Sequence, residues 1–138
     1  NTTVSFVSSK LRAGTEWKYK VVAYKKHGNS VVKNVGSQIS SVTLPTAPVV
    51  AIRAGKGSVT LGWNGVTGAD GYEVYMRTTK NGKSTKIATL KKVSKVKYTK
   101  NGLAKNKTYY VNVRAFKKDA KGRKYYSSYS TVKAVKTK

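Results

Sequence analysis

The side chains that could carry acid–base or nucleophilic chemistry are few and scattered along this chain of 138 residues. The one histidine, His27, lies in KKHGNS with no second histidine, no cysteine and no nearby carboxylate to form a metal site or a catalytic base. The four carboxylates are never spaced as a catalytic pair, and no serine lies in a Gly-x-Ser-x-Gly elbow. The sequence therefore predicts a protein that is not an enzyme and that has no catalytic residues, cofactor or metal. The carboxylates are Glu16, Asp70, Glu73 and Asp119.

The charge is the most unusual property of the chain. It has 29 Lys and Arg residues against four Asp and Glu, a net charge of +25. A field of that sign attracts polyanions in a salt-sensitive way. Because 24 of the basic residues are Lys and five are Arg, the balance favours a diffuse anionic matrix over the bidentate recognition of bases by arginine. Alternatively, the lysines only solubilise exposed strands and prevent edge pairing, although this charge exceeds what solubility needs.

Several structural classes are excluded by composition. The chain has no cysteine, which excludes disulfides and thiolate metal sites. It has no apolar segment near the length of a membrane span and no recognisable signal peptide. It begins at Asn1 rather than Met, so we expect a processed product or a piece of a longer protein, with any targeting segment outside it.

Alternating apolar and polar residues predict β-strands along most of the chain, and few segments show a helical period. Asn-Gly in KNGK (80–83) predicts a hairpin. Antiparallel strands with one polar face and regular turns favour a β-sandwich. The predicted strands include SVTLGW (58–63), GYEVYMR (71–77), KVKYT (95–99), YYVNVRAF (109–116) and SSYSTVKAV (127–135).

An internal repeat relates residues 1–44 to the last half of residues 45–138. LRAGTEWKYKVVAY (11–24) matches LAKNKTYYVNVRAF (103–116) at an offset of 92 positions. LPTAP (44–48) forms the junction, since its two prolines stiffen the connection and prevent a continued strand ladder. The matched pairs are Val4 with Val96, Phe6 with Tyr98, Leu11 with Leu103, Trp17 with Tyr109, Val21 with Val113, Ala23 with Ala115 and Tyr24 with Phe116.

These residues resemble the fibronectin type III family, whose motifs are represented by Trp63, Tyr72-Glu73-Val74, and Leu103 with Tyr109. The family proline between the last two is replaced by Lys105. VTGADGYEVY, KIATL and YSSYS resemble the Lys- and Tyr-rich tandem modules of Gram-positive bacterial secreted or cell-surface proteins. The resemblance implies an all-β, immunoglobulin-like antiparallel β-sandwich. In this interpretation residues 45–138 are a complete module, and residues 1–44 are the C-terminal, E-F-G-like strands of an incomplete one.

The resemblance also implies which residues are structural. A tyrosine at the start of strand F pins the E–F crossover through its hydroxyl, and Tyr109 is expected to fill that role. Residues 1–44 lack the A, B and C strands, and half a core of that size does not normally fold unaided. We expect the missing half to come from a longer tandem array, or else from strand exchange with another copy. The predicted corner and core residues are Trp17, Trp63, Tyr72, Leu103 and Tyr109.

A ligand surface is predicted from the neighbourhood of strands C and F in the family. Their outward aromatic and cationic side chains suit stacking on sugar rings or attraction to anionic polymers. The alternative is that cross-strand Tyr–Arg pairs only stabilise an exposed sheet. The F–G loop, KKDAKGRK (117–124), is the second candidate. The candidate surface comprises Tyr75, Arg77, Tyr110, Arg114, Phe116, Lys117, Lys118, Lys121, Arg123 and Lys124.

These features are compatible with three functions. The first is a non-catalytic extracellular spacer or binding module of a larger bacterial surface or secreted protein, next to other domains of its parent and attached to an anionic cell-wall polymer or glycan. The second is an accessory module of a secreted polysaccharide-degrading enzyme. The third is non-specific nucleic-acid binding through the basic surface, against which the Lys bias and the lack of a nucleic-acid motif count.

Overall fold

The computed structural model of the chain describes residues 5–138, a range that contains ten β-strands and no helix. Within that range no helix could therefore cross a membrane. Val4, which the repeat pairs with Val96, lies outside the described residues. The strands are β1 (Glu16–His27), β2 (Ser30–Val42), β3 (Val50–Gly55), β4 (Ser58–Trp63), β5 (Gly71–Arg77), β6 (Thr85–Leu90), β7 (Lys97–Lys100), β8 (Thr108–Lys118), β9 (Lys124–Tyr126) and β10 (Lys133–Lys136).

Strands β3 to β10 form two antiparallel sheets that pack face to face. One has the order β3-β4-β7, and the other has the order β10-β8-β5-β6, with β9 also paired to β8. Strands β5 and β6 are the hairpin predicted from KNGK, although neither Asn81 nor Gly82 has a positive φ. The all-β antiparallel sandwich predicted from the sequence is confirmed.

The core lies between the two sheets, where the predicted inward faces meet. On β4, Val59, Leu61 and Trp63 are buried, and they pack against buried apolar residues of β5 and β8. The rings of Trp63 and Tyr72 meet edge to face with centroids 5.2 Å apart. The Tyr72 hydroxyl accepts a hydrogen bond from the Val66 N–H at 2.9 Å, so this buried polar group is satisfied.

The tyrosine corner predicted at β8 is present. Tyr109 is buried, and its hydroxyl accepts a hydrogen bond from the Ala104 N–H at 3.1 Å. Leu103, next to Ala104, packs against the core. At the matching position of β1, the buried Nε1 of Trp17 has no hydrogen-bond partner among the described residues. Trp17 therefore supplies the ring of the corner without its hydrogen bond.

A threonine near the end of the chain closes the same corner from the other side. The Thr137 hydroxyl donates to the Ala104 carbonyl at 2.6 Å and accepts from the Lys107 N–H at 3.2 Å. Thr137 is buried, and its own N–H donates to the Lys107 carbonyl at 3.1 Å. The segment before β8 is thus held by both Tyr109 and Thr137.

The first repeat has the same pair of threonine hydrogen bonds, and we call this arrangement the threonine clasp. The Thr43 hydroxyl donates to the Arg12 carbonyl at 2.6 Å and accepts from the Thr15 N–H at 3.0 Å. Arg12 and Thr15 lie 92 positions before their counterparts, whereas the two threonines are 94 positions apart. A comparison at the single offset of 92 therefore does not align the two threonines.

The segment that connects β9 to β10 continues the ladder of β8 through serine side chains. The Ser127 N–H donates to the Ala115 carbonyl at 3.0 Å, and the Ser127 hydroxyl accepts from the Ala115 N–H at 2.9 Å. Ser130 does the same with Val113, at 2.8 and 3.0 Å. The strand predicted over 127–135 is wrong in its first part, because the hydroxyls of Ser127 and Ser130 replace backbone carbonyls there.

Strands β1 and β2 form a long hairpin that is a separate sheet. Residues 5–15 form no strand, so the predicted E-like strand is absent from that range. One groove of the hairpin is lined by apolar residues, among which Phe6, Val21 and Ile39 are strongly exposed. Val113, the match of Val21, is fully buried. The division at residue 44 and strand exchange both remain predictions.

The hairpin and the sandwich meet at two glycines. Gly14 and Gly68 both have positive φ, and a Cβ added to Gly14 would lie 2.6 Å from the Gly68 carbonyl carbon. No larger residue fits at Gly14 without moving the backbone. Pro45 and Pro48 of the junction are both buried, so this connection is anchored at two points.

We expect Tyr109→Phe to destabilise the protein by about 0.5–1.5 kcal/mol, because the hydrogen bond between the Ala104 N–H and the hydroxyl of the buried Tyr109 is lost. Urea denaturation monitored by fluorescence measures the change. Tyr110→Phe is the control, since the Tyr110 hydroxyl has no hydrogen bond among the described residues. Equal stability of the two variants would contradict the role of the corner.

We expect Ser130→Ala to lower the free energy of unfolding by about 1–3 kcal/mol, because the Val113 N–H would be left buried and unpaired. Ser128→Ala, in the same segment but at an exposed position, should leave stability within about 0.5 kcal/mol. Thermal denaturation of both variants tests this, and a harmless Ser130→Ala would show that the ladder does not need the hydroxyl.

Candidate functional site

The outer face of the β10-β8-β5-β6 sheet is organised around one buried carboxylate. Glu73 on β5 points away from the core, as the alternation predicts, yet its side chain is 0% exposed. Arg114, directly opposite on β8, donates to Oε2 through Nη2 at 2.8 Å and Nε at 3.2 Å. The Nζ atoms of Lys124 and Lys86 lie 3.0 and 3.4 Å from Oε1, and the Tyr75 hydroxyl donates to Oε2 at 2.8 Å. We call these five residues the Glu73 cluster.

Aromatic rings enclose the guanidinium of this cluster. The central carbon of the Arg114 guanidinium lies 3.6 Å from the centroid of the Tyr126 ring. The rings of Tyr75 and Tyr129 lie 5.2 and 5.1 Å from the same carbon, within the range of cation–π attraction. Arg114 is thus held by a carboxylate and three aromatic rings, which favours the interpretation that Tyr–Arg pairs stabilise the sheet.

The cluster shifts the ionisation of its members. Burial alone would raise the pKa of the Glu73 carboxyl, but hydrogen bonds from Arg114, Tyr75 and Lys124 outweigh burial and lower the pKa from 4.5 to about 2. Burial, followed by the hydrogen bond to Glu73, raises the pKa of the Tyr75 hydroxyl above its usual range. Glu73 therefore stays charged at neutral pH and Tyr75 stays protonated.

Two predicted surface aromatics are not exposed. Tyr75 is 9% exposed and Phe116 only 1%, so the expectation of exposed rings is wrong for both. The Phe116 ring lies over Gly71, where an added Cβ would lie 2.7 Å from its Cζ. Tyr126 meets the ring edge-on, and Lys124 Nζ lies 4.4 Å from its centroid. The side chains of β9 cover this part of the sheet, which the outward position of Phe116 on its strand does not predict.

The remaining predicted residues of β5 and β8 also have partners. The Arg77 Nη1 donates to the Ser84 hydroxyl at 3.1 Å, and its guanidinium lies 5.9 Å from the Tyr110 ring. Lys117 Nζ lies 3.0 Å from an Asp70 carboxylate oxygen. These contacts fix side chains that the sequence presents as free to bind a ligand.

The F–G loop folds around its own carboxylate. Asp119 accepts from the backbone N–H groups of Lys121 and Arg123, both at 2.9 Å, and from Arg123 Nε at 2.7 Å. The Lys118 N–H donates to Asp70 at 2.7 Å. The side chains of Lys118 and Lys121 remain exposed. Of the predicted loop surface, these two lysines are therefore the ones whose charges point freely to solvent.

A second surface, on the outer face of the β3-β4-β7 sheet, is one that sequence reasoning did not identify. Strand register places Ala51, Gly62 and Lys97 in one row and Arg53, Thr60 and Thr99 in the next. The hydroxyls of Thr60 and Thr99 lie 3.0 Å apart. A shallow groove crosses this face. The sequence does indicate this surface, because the outward positions of these three short strands contain cations and small residues but no acid.

The histidine and the carboxylates of the described range do not gather near either surface as a metal site would require. Within residues 5–138 no three His, Cys, Asp or Glu side chains are close enough to hold a metal ion. His27 is the last residue of β1, pairs with Ser30 across the hairpin turn, and is exposed.

Comparison with known proteins finds similarity in sequence to a curated protein and similarity in structure to solved proteins. No family model matches the chain. Exoglucanase B of Cellulomonas fimi is 29% identical over 150 residues, which cover 99% of this chain and 13% of that protein. The chain thus spans about an eighth of the curated relative that it matches.

Two solved structures are similar to the chain. A two-domain fibronectin type III segment of chicken tenascin has a TM-score of 0.67 at 23% identity, with 92% of this chain and 67% of that one covered. A fibronectin type III-like protein from Clostridium thermocellum has a TM-score of 0.53 at 25% identity, with 68% of this chain and 94% of that one covered. The structure with two consecutive domains covers the larger share of this chain.

We expect Glu73→Gln to destabilise the protein at pH 7 by roughly 3 kcal/mol, the equivalent of lowering a carboxyl pKa from 4.5 to about 2. A lowered pKa gives stability that is present above pH 4.5 and lost as the pH falls towards 2. The stabilities of wild type and variant should therefore converge across this interval. Urea denaturation at several pH values measures it, with Glu16→Gln on the hairpin as control. A constant difference down to pH 2 would contradict the assignment.

Proposed function

Because this chain has the fibronectin type III fold, we propose that it is a non-catalytic extracellular module of a larger bacterial surface or secreted protein. It spaces neighbouring domains and attaches to an anionic cell-wall polymer or glycan. The likeness to a tandem two-domain segment supports the spacer role. The sequence similarity to part of a bacterial exoglucanase supports an extracellular, carbohydrate-associated parent.

The observation that carries the binding part of the proposal is uncompensated positive charge. The chain has a net charge of +25, and each carboxylate of residues 45–138 already pairs with a basic side chain. The lysines outside those pairs are mostly exposed. Such a surface lowers its free energy by replacing the counterions of a polyanion. Lysine, as a hydrated point charge, tolerates variable spacing of the anions better than a rigid arginine fork does.

The buried junction supports the spacer role. Pro45 and Pro48 are buried, and the backbones of Gly14 and Gly68 pack directly against each other. A connection with these contacts holds consecutive domains in a defined orientation more firmly than a flexible linker would. The module would then place its basic surface at a defined distance from the rest of the parent protein.

A second candidate function is favoured by the exoglucanase similarity. As an accessory module of a polysaccharide-degrading enzyme, the chain would bind a neutral polysaccharide or only separate a catalytic domain from its substrate-binding partner. Binding to a neutral glucan needs exposed aromatic rings for stacking on sugars. Tyr75 and Phe116, two of the rings predicted for that purpose, are buried, so the anionic ligand is favoured.

Co-sedimentation with three insoluble or immobilised polymers tests the proposal across a salt series. We expect binding to an anionic wall polysaccharide that weakens steeply as NaCl rises, because counterion release drives it. We expect no binding to cellulose. Retention on cellulose that does not depend on salt would favour the accessory function, and tighter binding to double-stranded DNA would favour nucleic acid. No binding to the anionic polymer at low salt would leave a spacer alone.

A further inference from the structure

The acidic side chains of the sandwich are all on one side of it. Glu73 pairs with Arg114, Lys86 and Lys124 on the outer face of the β10-β8-β5-β6 sheet. Asp70 pairs with Lys117, and Asp119 pairs with Arg123 in the loop that follows β8. Residues 45–138 contain no other acid. The positive charge of that side is therefore partly neutralised.

The β3-β4-β7 sheet and the connection that leads into β7 have cations without acids. Arg53 on β3 and Lys97 on β7 are exposed on the outer face of the β3-β4-β7 sheet. Lys91, Lys92 and Lys95 are exposed in the connection that leads from β6 into β7. None of these five side chains forms an ion pair within the described range 5–138. We call them the cationic face.

Small residues form the centre of this face. Ala51 and Gly62 lie side by side in the row that ends at Lys97. The groove there is lined by Ala51, Arg53, Thr60, Gly62 and Lys97, together with neighbouring residues of the three strands. A linear ligand that enters the groove reaches the backbone of β4 between Arg53 and Lys97. The Thr60 hydroxyl borders the same groove, 3.0 Å from the Thr99 hydroxyl, and can hydrogen-bond to such a ligand.

Nothing in the packing of the protein requires the glycine. Gly62 lies in the middle strand of its sheet and does not have positive φ. A Cβ added there would lie 3.9 Å from the Val96 carbonyl oxygen, an ordinary van der Waals distance. Glycine inside a strand costs about 0.5–1 kcal/mol relative to alanine and often marks a close approach by a ligand. By contrast, Gly71 of β5 is needed, because the Phe116 ring covers it.

We propose that the cationic face binds a flexible, linear anionic glycan, with the polymer lying along the groove over Gly62 and its oxyanions paired with Arg53, Lys97 and the lysines that precede β7. This inference rests on the proposed function, and it assigns the anionic ligand of that function to one side of the sandwich. The anions are singly charged phosphodiesters or carboxylates, which lysine ammonium groups contact as point charges. The predicted surface around Tyr75 and Arg114 is instead occupied by its own ion pairs.

Two matched charge variants test the location. The face variant is Arg53→Gln/Lys92→Gln/Lys95→Gln/Lys97→Gln. The control variant, Lys80→Gln/Lys83→Gln/Lys118→Gln/Lys121→Gln, removes the same charge from exposed positions elsewhere. Binding of the full chain to poly(N-acetylglucosamine 1-phosphate), a glycan joined by phosphodiesters, and to polygalacturonate is measured by calorimetry at fixed ionic strength. We expect the dissociation constant of the face variant to rise about tenfold or more, with a flatter salt dependence. The control should change by less than about threefold.

A variant without any change of charge tests the groove. Gly62→Val favours the strand and fits the space above β4, so its thermal midpoint should not fall. The valine side chain would fill the groove, and we expect the dissociation constant for the preferred glycan to rise about fivefold or more. The stronger of the two glycans identifies the anion as phosphodiester or carboxylate. Unchanged binding by folded Gly62→Val would overturn the groove as the site.

The remaining outcomes separate this inference from the proposed function. Equal weakening in the face and control variants would overturn the cationic face while leaving attachment to an anionic polymer in place. Wild-type protein that binds neither glycan would overturn attachment to an anionic polymer, and this inference with it, and would leave only the spacer role. Double-stranded DNA bound more tightly than both glycans at the same ionic strength would overturn the glycan as ligand. Circular dichroism confirms that each variant is folded before binding is compared.

Discussion

The structure depends on the two-residue alternation of its strands, which sends every second side chain into the space between two sheets. Val59, Leu61 and Trp63 on β4 fill that space from one side, and Tyr72 and Val74 on β5 fill it from the other. The intervening residues are then forced outward, whatever their chemistry. Glu73 lies between two core residues for this reason, and its buried carboxylate is stable only because cations from neighbouring strands cover it.

A threonine fixes the short segment before the long strand in both repeats. In the sandwich, Tyr109 and Thr137 both bond the short segment before β8, so the crossover is fixed by a ring, a hydroxyl and a terminal threonine. In the first repeat Thr43 makes the same bonds to its own segment, while the indole N–H of Trp17 makes no hydrogen bond within residues 5–138. The threonine clasp thus connects the ends of a hairpin that pairs with no further strand within residues 5–138.

The distribution of charge follows from the same geometry. With few carboxylates available, pairing them around β5 and the loop after β8 leaves the outer face of the β3-β4-β7 sheet with cations and no acid. One side is rigid, with Arg114 fixed between Glu73 and Tyr126. The other is smooth and open, with a glycine at its centre. A polyanion on the second side meets cations that form no ion pair, whereas on the first side Arg114, Lys117 and Lys124 are already paired with carboxylates.

The sequence by itself determined the all-β class, the inward faces of β4, β5 and β8, the Tyr109 corner and the repeat, because alternation and motif spacing are local properties of the chain. It could not determine which outward residues are exposed. Phe116 and Tyr75 alternate outward yet are buried, since residues from β9 and the following segment fold over them. The serine-bridged ladder and the uncompensated cations around Gly62 likewise depend on contacts between distant segments. Only the tertiary structure decided those, because burial and ion pairing are set by what packs above a strand and not by the strand itself.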